Sequence, residues 1–377
     1  MSHYTPDGTA PFIPNAVARI ERRLPHPGDV RARVGTRVEV EDIVAECYRP
    51  EPPQVINIAR ALSISPAAVE RAMRLERNNK FTKGEVLAGT ARFGGRTCVA
   101  PVSGIIADID NETGYITLAP DPSRFELSAA VRGVVMEILP YEGVVIETPA
   151  AQVYGAFGIG GERSGVLRLM VTDPSEALTP EKIDARAAYA VLICGSTISA
   201  AALRRATQEK VRGIIVGGIE EAELRTFLAG TGFARWGTSS GVFGATPESP
   251  ELTLLVTEGF GVRPMAQPIF DLLSTYDQQE ALIEGQTRLR GPLCRPRVVI
   301  PLTRSSGAQV EAPRLLLRVG ATVRLLDYRH LGAVAQVRAV SQQPRRLPSG
   351  VRSPAVEVMV AGEPPFWLPR SAVEVIN

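Results

Sequence analysis

The chain has 377 residues, 45% of them hydrophobic and 22% charged, with a formal net charge of +2. That length accommodates two or three separate cores, and the composition is that of a globular chain rather than a disordered or membrane-embedded one. The near-neutral balance excludes a global pull toward nucleic acid or lipid, so local clusters must carry any such role. Residues 1–24 start with turn formers and continue into "NAVARIERRL", whose basic amphipathic pattern predicts a short helix or an arm. From 25 to 150 the grammar is mainly that of short strands: "VRARVGTRVEVEDIVAEC", "KFTKGEVLAGTARF", "APVSGIIADIDNETGYITLA" and "VRGVVMEILPYEGVVIETPA" alternate apolar and polar positions around glycine turns. Between the first two of these, residues 52–77 show helical spacing at Val55, Ile58, Ala59 and Leu62, then at Ala68, Val69, Ala72 and Met73. Ser65 and Pro66 supply an N-cap and a first-turn proline, so a helical hairpin is expected as an insertion.

Residues 151–290 change to an α/β pattern. The apolar strands "GVLRLMVT", "YAVLICG", "VRGIIVGGI" and "LTLLVTEGFG" alternate with the helices "TPEKIDARA", "SAAALRRATQEK", "EEAELRTFLAG" and "MAQPIFDLLSTY". Continuous apolar strands between helices predict a parallel sheet covered on both faces. The glycine-dense "AFGIGGERSG" reads as a hinge between the first two regions, or as an anion nest beside Arg163. Residues 291–377 return to strands: "RVVIPL", "ATVRLLD", "GAVAQVRAV", "AVEVMVA" and "FWLPRSAVEVI".

The run "KGEVLA", followed by "VAPVSGIIADI" and "GYITL", resembles the biotinyl/lipoyl-type barrel-sandwich hybrid, and "VGATVRLLDYRHLGAVAQVRAV" resembles a KOW-type SH3-like barrel. Together these imply a multi-domain chain of α+β and α/β class: a barrel-sandwich domain with a helical insertion, a central parallel α/β domain, and a C-terminal SH3-like barrel. Carrier domains of the first family hold a modified lysine at a hairpin tip. Here the tip reads "ARFGGRTC", without lysine, while Lys80 and Lys83 precede the Gly84 turn. The expected cofactor is therefore none.

Two candidate ligand sites lie in the α/β region. Gly217 and Gly218 are expected where a strand ends and a helix begins, offering free amides to a phosphate, although Glu220 and Glu221 follow at once and oppose an anion. Thr257, Glu258, Gly259 and Gly261, with Arg263 nearby, mark the carboxyl end of a predicted strand, where open α/β sheets bind ligands. No GxGxxG or GxxxxGK[ST] motif occurs and no catalytic set is recognisable, so the chain reads as a binding or assembly protein, with a ligand-binding or enzymatic α/β domain as a further alternative.

The third candidate is basic. Residues 295–377 hold twelve arginines and no lysine against five acids, a surplus of seven, with Tyr328, Phe366 and Trp367 interleaved. Arg324, Arg329, His330, Arg338, Arg345 and Arg346 are the expected nucleic-acid contacts, since arginine pairs with phosphate and aromatic rings stack on bases. The chain as a whole prefers arginine, its lysines being Lys80, Lys83, Lys182 and Lys210, which discounts part of this surplus. Four separated cysteines and three histidines lack metal-ligand spacing and read as small buried thiols, with no metal expected. No leader pattern and no span of membrane length is visible, which sets the expected location as cytoplasmic. A protein partner is the leading expectation, with RNA or DNA at the C-terminal barrel as the alternative.

Overall fold

The computed structural model describes residues 11–90, 95–229, 242–243, 251–288, 294–302, 316–327 and 329–376. It is 45% strand and 15% helix, which places it in a mixed, strand-rich class.

One eleven-stranded sheet organises the described residues. Its strands are β1 (Phe12–Arg23), β2 (Arg37–Val38), β3 (Gly133–Leu139), β4 (Gly143–Tyr154), β5 (Phe157–Ile159), β6 (Glu162–Leu169), β7 (Ala190–Ile193), β8 (Gly213–Ile219), β9 (Thr253–Phe260), β10 (Glu280–Glu284) and β11 (Arg297–Pro301). Their spatial order is β5-β9-β8-β7-β6-β10-β11-β4-β3-β2, with β1 pairing β4 outside this path. Only β6 to β9 run parallel to one another, and every other pairing is antiparallel.

The expected boundaries at 150 and 290 fall inside this sheet. β11, expected in the C-terminal barrel, lies between β10 and β4. The glycine-dense junction is likewise a connection between β5 and β6 of one sheet rather than a hinge between bodies. The "NAVARIERRL" segment is strand, not helix: Ala18, Ile20 and Arg22 are buried at period two, and β1 pairs along β4 from Phe12 to Arg23.

The parallel strands bury both faces. Leu192, Ile214, Val216, Leu254 and Val256 enter one core, with Ala202, Leu203 and Ala206, then Leu224, Phe227 and Leu228, packed on them. Val191, Ile193, Ile215 and Leu255 enter the other, against Ile269, Phe270 and Leu273. The helix Ala200–Gln208 begins at Ser199, whose hydroxyl accepts from Ala202 N–H at 3.2 Å, and Glu223 accepts from Ala200 N–H at 2.6 Å. "TPEKIDARA" forms two short 3-10 turns, Pro180–Lys182 and Ala185–Ala187, in place of one helix. The expected stop at Gly230 and most of the loop after it lie outside the described residues.

The N-terminal region adds a three-stranded sheet, whose Val44, Ala45 and Leu127 share a core with Ile20, Val144, Ile146 and Leu282 of the large sheet, and a four-stranded sheet around Ile58, Leu87, Ile106, Ile116 and Leu118. Its helical insertion is shorter than expected. Gln54–Asn57 is a strand, so Val55 faces solvent, and the first helix spans only Ile58–Leu62, capped by Asn57. After a 3-10 turn at Pro66–Ala68, a second helix covers Val69–Ala72; Ser65 precedes the turn but its side chain bonds no amide. Val86–Gly89 and Thr97–Val99 pair as a hairpin, while residues 91–94 of its tip, Arg92 among them, lie outside the described residues.

The C-terminal module is a five-stranded antiparallel sheet of β12 (Thr322–Leu325), β13 (Val334–Val340), β16 (Ala355–Val360), β17 (Phe366–Pro369) and β18 (Val373–Val375), with the two-stranded β14 (Arg345–Arg346) and β15 (Arg352–Ser353) between β13 and β16 in the chain. Among the described residues no helix is long and apolar enough to cross a membrane.

Candidate functional site

The carboxyl ends of the parallel strands, where a ligand was expected, carry the C-terminal module instead. Leu326 and Leu331 join the same core as Phe157 and Leu254. Thr257 is fully buried, its hydroxyl 3.4 Å from the carbonyl of Val216. One oxygen of Glu258 accepts from Ala266 N–H at 3.1 Å, at the start of the helix Gln267–Thr275. Gly259 touches Gly332 of the C-terminal module, and Gly261 N–H donates to the Ile219 carbonyl at 2.9 Å. Arg263 folds back, its Nε donating to the Phe260 carbonyl at 2.7 Å.

Gly217 and Gly218 lie inside β8 rather than at its end. Their amides donate to the carbonyls of Gly195 and Ser196, at 2.8 and 3.0 Å, and a Cβ on either would fall 2.2 Å from a carbonyl of the 261–263 loop. These glycines allow that loop to lie against the strand, and no free amide remains for a phosphate.

Arg324, expected to meet nucleic acid, is only 4% exposed and sits in an alternating chain of charge. It pairs with the second oxygen of Glu258 and, through Nη1 at 2.7 Å, with Glu374, whose other oxygen accepts from Arg295 at 2.7 Å. Arg295 continues to the Gly155 carbonyl and lies 5.5 Å from the centre of the Tyr154 ring. Two acids and two bases thus cancel beneath the module. Such a set holds only while every member is present, because any one alone is a buried unpaired charge.

His330 is held as well. Its Nδ1 is 3.1 Å from Asp327, its Nε2 is 3.2 Å from Glu363, and its ring stacks on Phe366 at 4.7 Å. Arg329 is exposed, with its backbone N–H 3.3 Å from Asp327. Arg338 is exposed on β13, with Nη2 3.1 Å from the sulfur of Met359. Tyr328 lies outside the described residues.

The remaining arginines converge. Arg345 and Arg346 are exposed on β14; Arg346 stands directly opposite Arg352 on β15, and Arg345 opposite Ser353. The Arg345 guanidinium carbon lies 4.1 Å from the centre of the Trp367 ring on β17. Among the described residues no carboxylate pairs with Arg345, Arg346 or Arg352. Like charges directly opposite in a hairpin repel, so the pair is costly until an anion lies against it. Arg352 belongs with the expected set, and the signal for it was present: "RRLPSGVR" places a Pro-Ser-Gly turn between basic strands.

Among the described residues no group of three or more His, Cys, Asp and Glu is placed to hold a metal ion. Cys47 and Cys194 are buried, and burial pushes the thiols of Cys194 and Cys98 above the ordinary cysteine value. No protein-family model matches the chain, and no curated protein sequence matches it.

Proposed function

We propose that the chain is a non-catalytic, multi-domain binding protein. Its C-terminal module, of the KOW/SH3-like barrel type, engages single-stranded RNA or DNA, and its N-terminal region is a barrel-sandwich hybrid of the biotinyl/lipoyl type that uses its surface for docking. The observation that carries the nucleic-acid reading is the Arg345–Trp367 stack beside the opposed pair Arg346 and Arg352. A phosphate between the two strands relieves the repulsion, and the ring offers a base a stacking surface without sequence preference. The arginines buried at the module's base keep that surface fixed relative to the large sheet.

Fluorescence anisotropy with a labelled single-stranded oligonucleotide, run over a salt series, tests this. The affinity falls with salt, and replacing Arg345, Arg346 and Arg352 together by Ala lowers the slope of log K against log salt by about 2. Salt-independent binding, no binding, or an unchanged slope in the triple variant refutes the reading.

A protein partner on the N-terminal region is favoured by one feature. The edge strand Gln54–Asn57 leaves Val55 60% exposed, and an unpaired strand edge accepts an added strand. A purified stoichiometric partner that no longer binds Val55→Pro supports this docking mode, and undiminished binding by that variant ends it.

A further inference from the structure

On the face of the large sheet that carries Leu192 and Leu254, the core around those residues and the core around Ile20, Val144 and Leu282 are separate. Between them lies an open cleft of about 390 Å³, within the range of about 300–1,000 Å³ typical of small-molecule sites. One wall belongs to the N-terminal region, with Glu41 and Ala130, and the other to the turns that enter β7 and β8, with Tyr189 and Arg212. Val166 and Leu282 form an apolar floor, and Glu280 stands beside Val166 in the same register. This is the amino-end side of the parallel strands, away from the C-terminal module.

The charges of this cleft ignore one another. The Arg212 guanidinium lies over the ring of Tyr189, 5.4 Å from its centre, and no carboxylate among the described residues pairs with it. Glu41 and Glu280 are exposed, and no described cation pairs with either. Walls of opposite unpaired charge above an apolar floor are complementary to a small molecule that carries both signs and an apolar group. The backbone supports a built site. Ala130 and Tyr189, at φ 58° and 61°, are two of the seven described non-glycine residues in the left-handed region. The hydroxyl of Ser164 on the floor donates to the Ala130 carbonyl at 2.7 Å, which fixes one wall to the sheet. Residues held in such sparsely populated conformations gather at ligand sites.

We propose that this cleft binds a small zwitterion of the α-amino-acid class, its carboxylate on Arg212, its ammonium toward Glu280 and Glu41, and its side chain over Val166 and Leu282. Because the two walls come from different parts of the chain, the ligand bridges the N-terminal region and the helical layer.

The test is thermal shift and titration calorimetry of the full chain with each of the twenty L-amino acids. For every one that responds, the matching amine and the matching deaminated acid are added as controls. At least one amino acid raises Tm saturably and its two controls do not. Arg212→Met weakens that binding roughly tenfold or more, and Val166→Phe, which fills the cleft from a half-exposed position, abolishes it. The proposal is overturned if no amino acid shifts Tm, or if the deaminated acid binds equally well, which marks a simple anion site. It is also overturned if a shift persists undiminished in Val166→Phe; that variant keeps the test open should Arg212→Met fail to fold. Loss of amino-acid binding leaves the nucleic-acid reading untouched, since the two surfaces share no residue.

Discussion

A Cβ placed on Gly259 would lie 2.6 Å from the Cα of Gly332, and one on Gly332 would lie 2.7 Å from the Cα of Gly259. Both residues have positive φ, 119° and 82°, so backbone meets backbone where the C-terminal module caps the large sheet. Gly259→Ala or Gly332→Ala therefore adds a clash to a strained conformation and costs about 2–4 kcal/mol in urea unfolding. Gly320→Ala separates the two effects: its φ is 86° with nothing within 4 Å of the added carbon, so it costs only about 1–2 kcal/mol. Equal losses in the three variants would show that the contact contributes nothing beyond the backbone conformation.

Arg324 is the shared cation between Glu258 and Glu374. Arg324→Met leaves two buried carboxylates facing an apolar chain, and the expected loss is about 3–5 kcal/mol by chemical denaturation. Arg346→Thr removes an arginine of the same module from an exposed hairpin. Relief of its repulsion with Arg352 makes that change neutral or stabilising by about 0.5 kcal/mol or less. A loss in Arg346→Thr comparable to that in Arg324→Met would mean that burial does not distinguish the two arginines.

That contrast also measures what the sequence could and could not reveal. Arg324 and Arg346 look alike in the chain, because only the long-range partners Glu258 and Glu374 separate a structural cation from a surface one. Arg22 misleads in the same way. Buried against Glu162 and the Ser128 carbonyl, it occupies an inward position of β1 that local chemistry reads as exposed, which gives "NAVARIERRL" the pattern of a basic amphipathic helix. Where the signal is a run rather than one capping residue the reading holds: "SAAALRRATQEK" forms the helix Ala200–Gln208, and the apolar runs at Ala190, Gly213 and Thr253 are buried strands, whereas Ser65 caps nothing. Gly217 and Gly218 read locally as free amides at a strand end, because the 261–263 loop that lies against them is over forty residues away. The walls of the zwitterion cleft come from segments scattered between Glu41 and Glu280, a juxtaposition that no local pattern encodes.

Stacking and charge contribute differently to binding at the C-terminal surface, and the difference is measurable. Trp367→Leu lowers oligonucleotide affinity by about 1–3 kcal/mol while leaving the salt slope unchanged. Arg346→Ala lowers the slope by about 0.7, the signature of one lost phosphate contact on a single strand. With Trp236 replaced by Phe, Trp367 is the sole tryptophan, and its fluorescence is quenched as the oligonucleotide is added. A quench absent at saturation would remove the ring from the interface.

Glu46, on the strand Ile43–Arg49, accepts from Arg124 at 2.5 and 2.8 Å and from Arg31 at 2.6 Å. The Arg124 bonds first, and then that of Arg31, hold its carboxyl below the usual glutamate range. In the unfolded chain the group titrates near its ordinary value of about 4.3, so as pH falls the unfolded state takes up the proton first. The stabilisation is complete above that range and is lost as pH drops through the folded value. Glu46→Gln is accordingly less stable than the parent chain at neutral pH by an amount that stays constant down to the ordinary glutamate range, then narrows and closes below it. Urea unfolding of the two proteins between about pH 7 and about pH 3 follows this gap directly. A gap of the same size at every pH would trace the contribution to packing of the side chain and not to its charge.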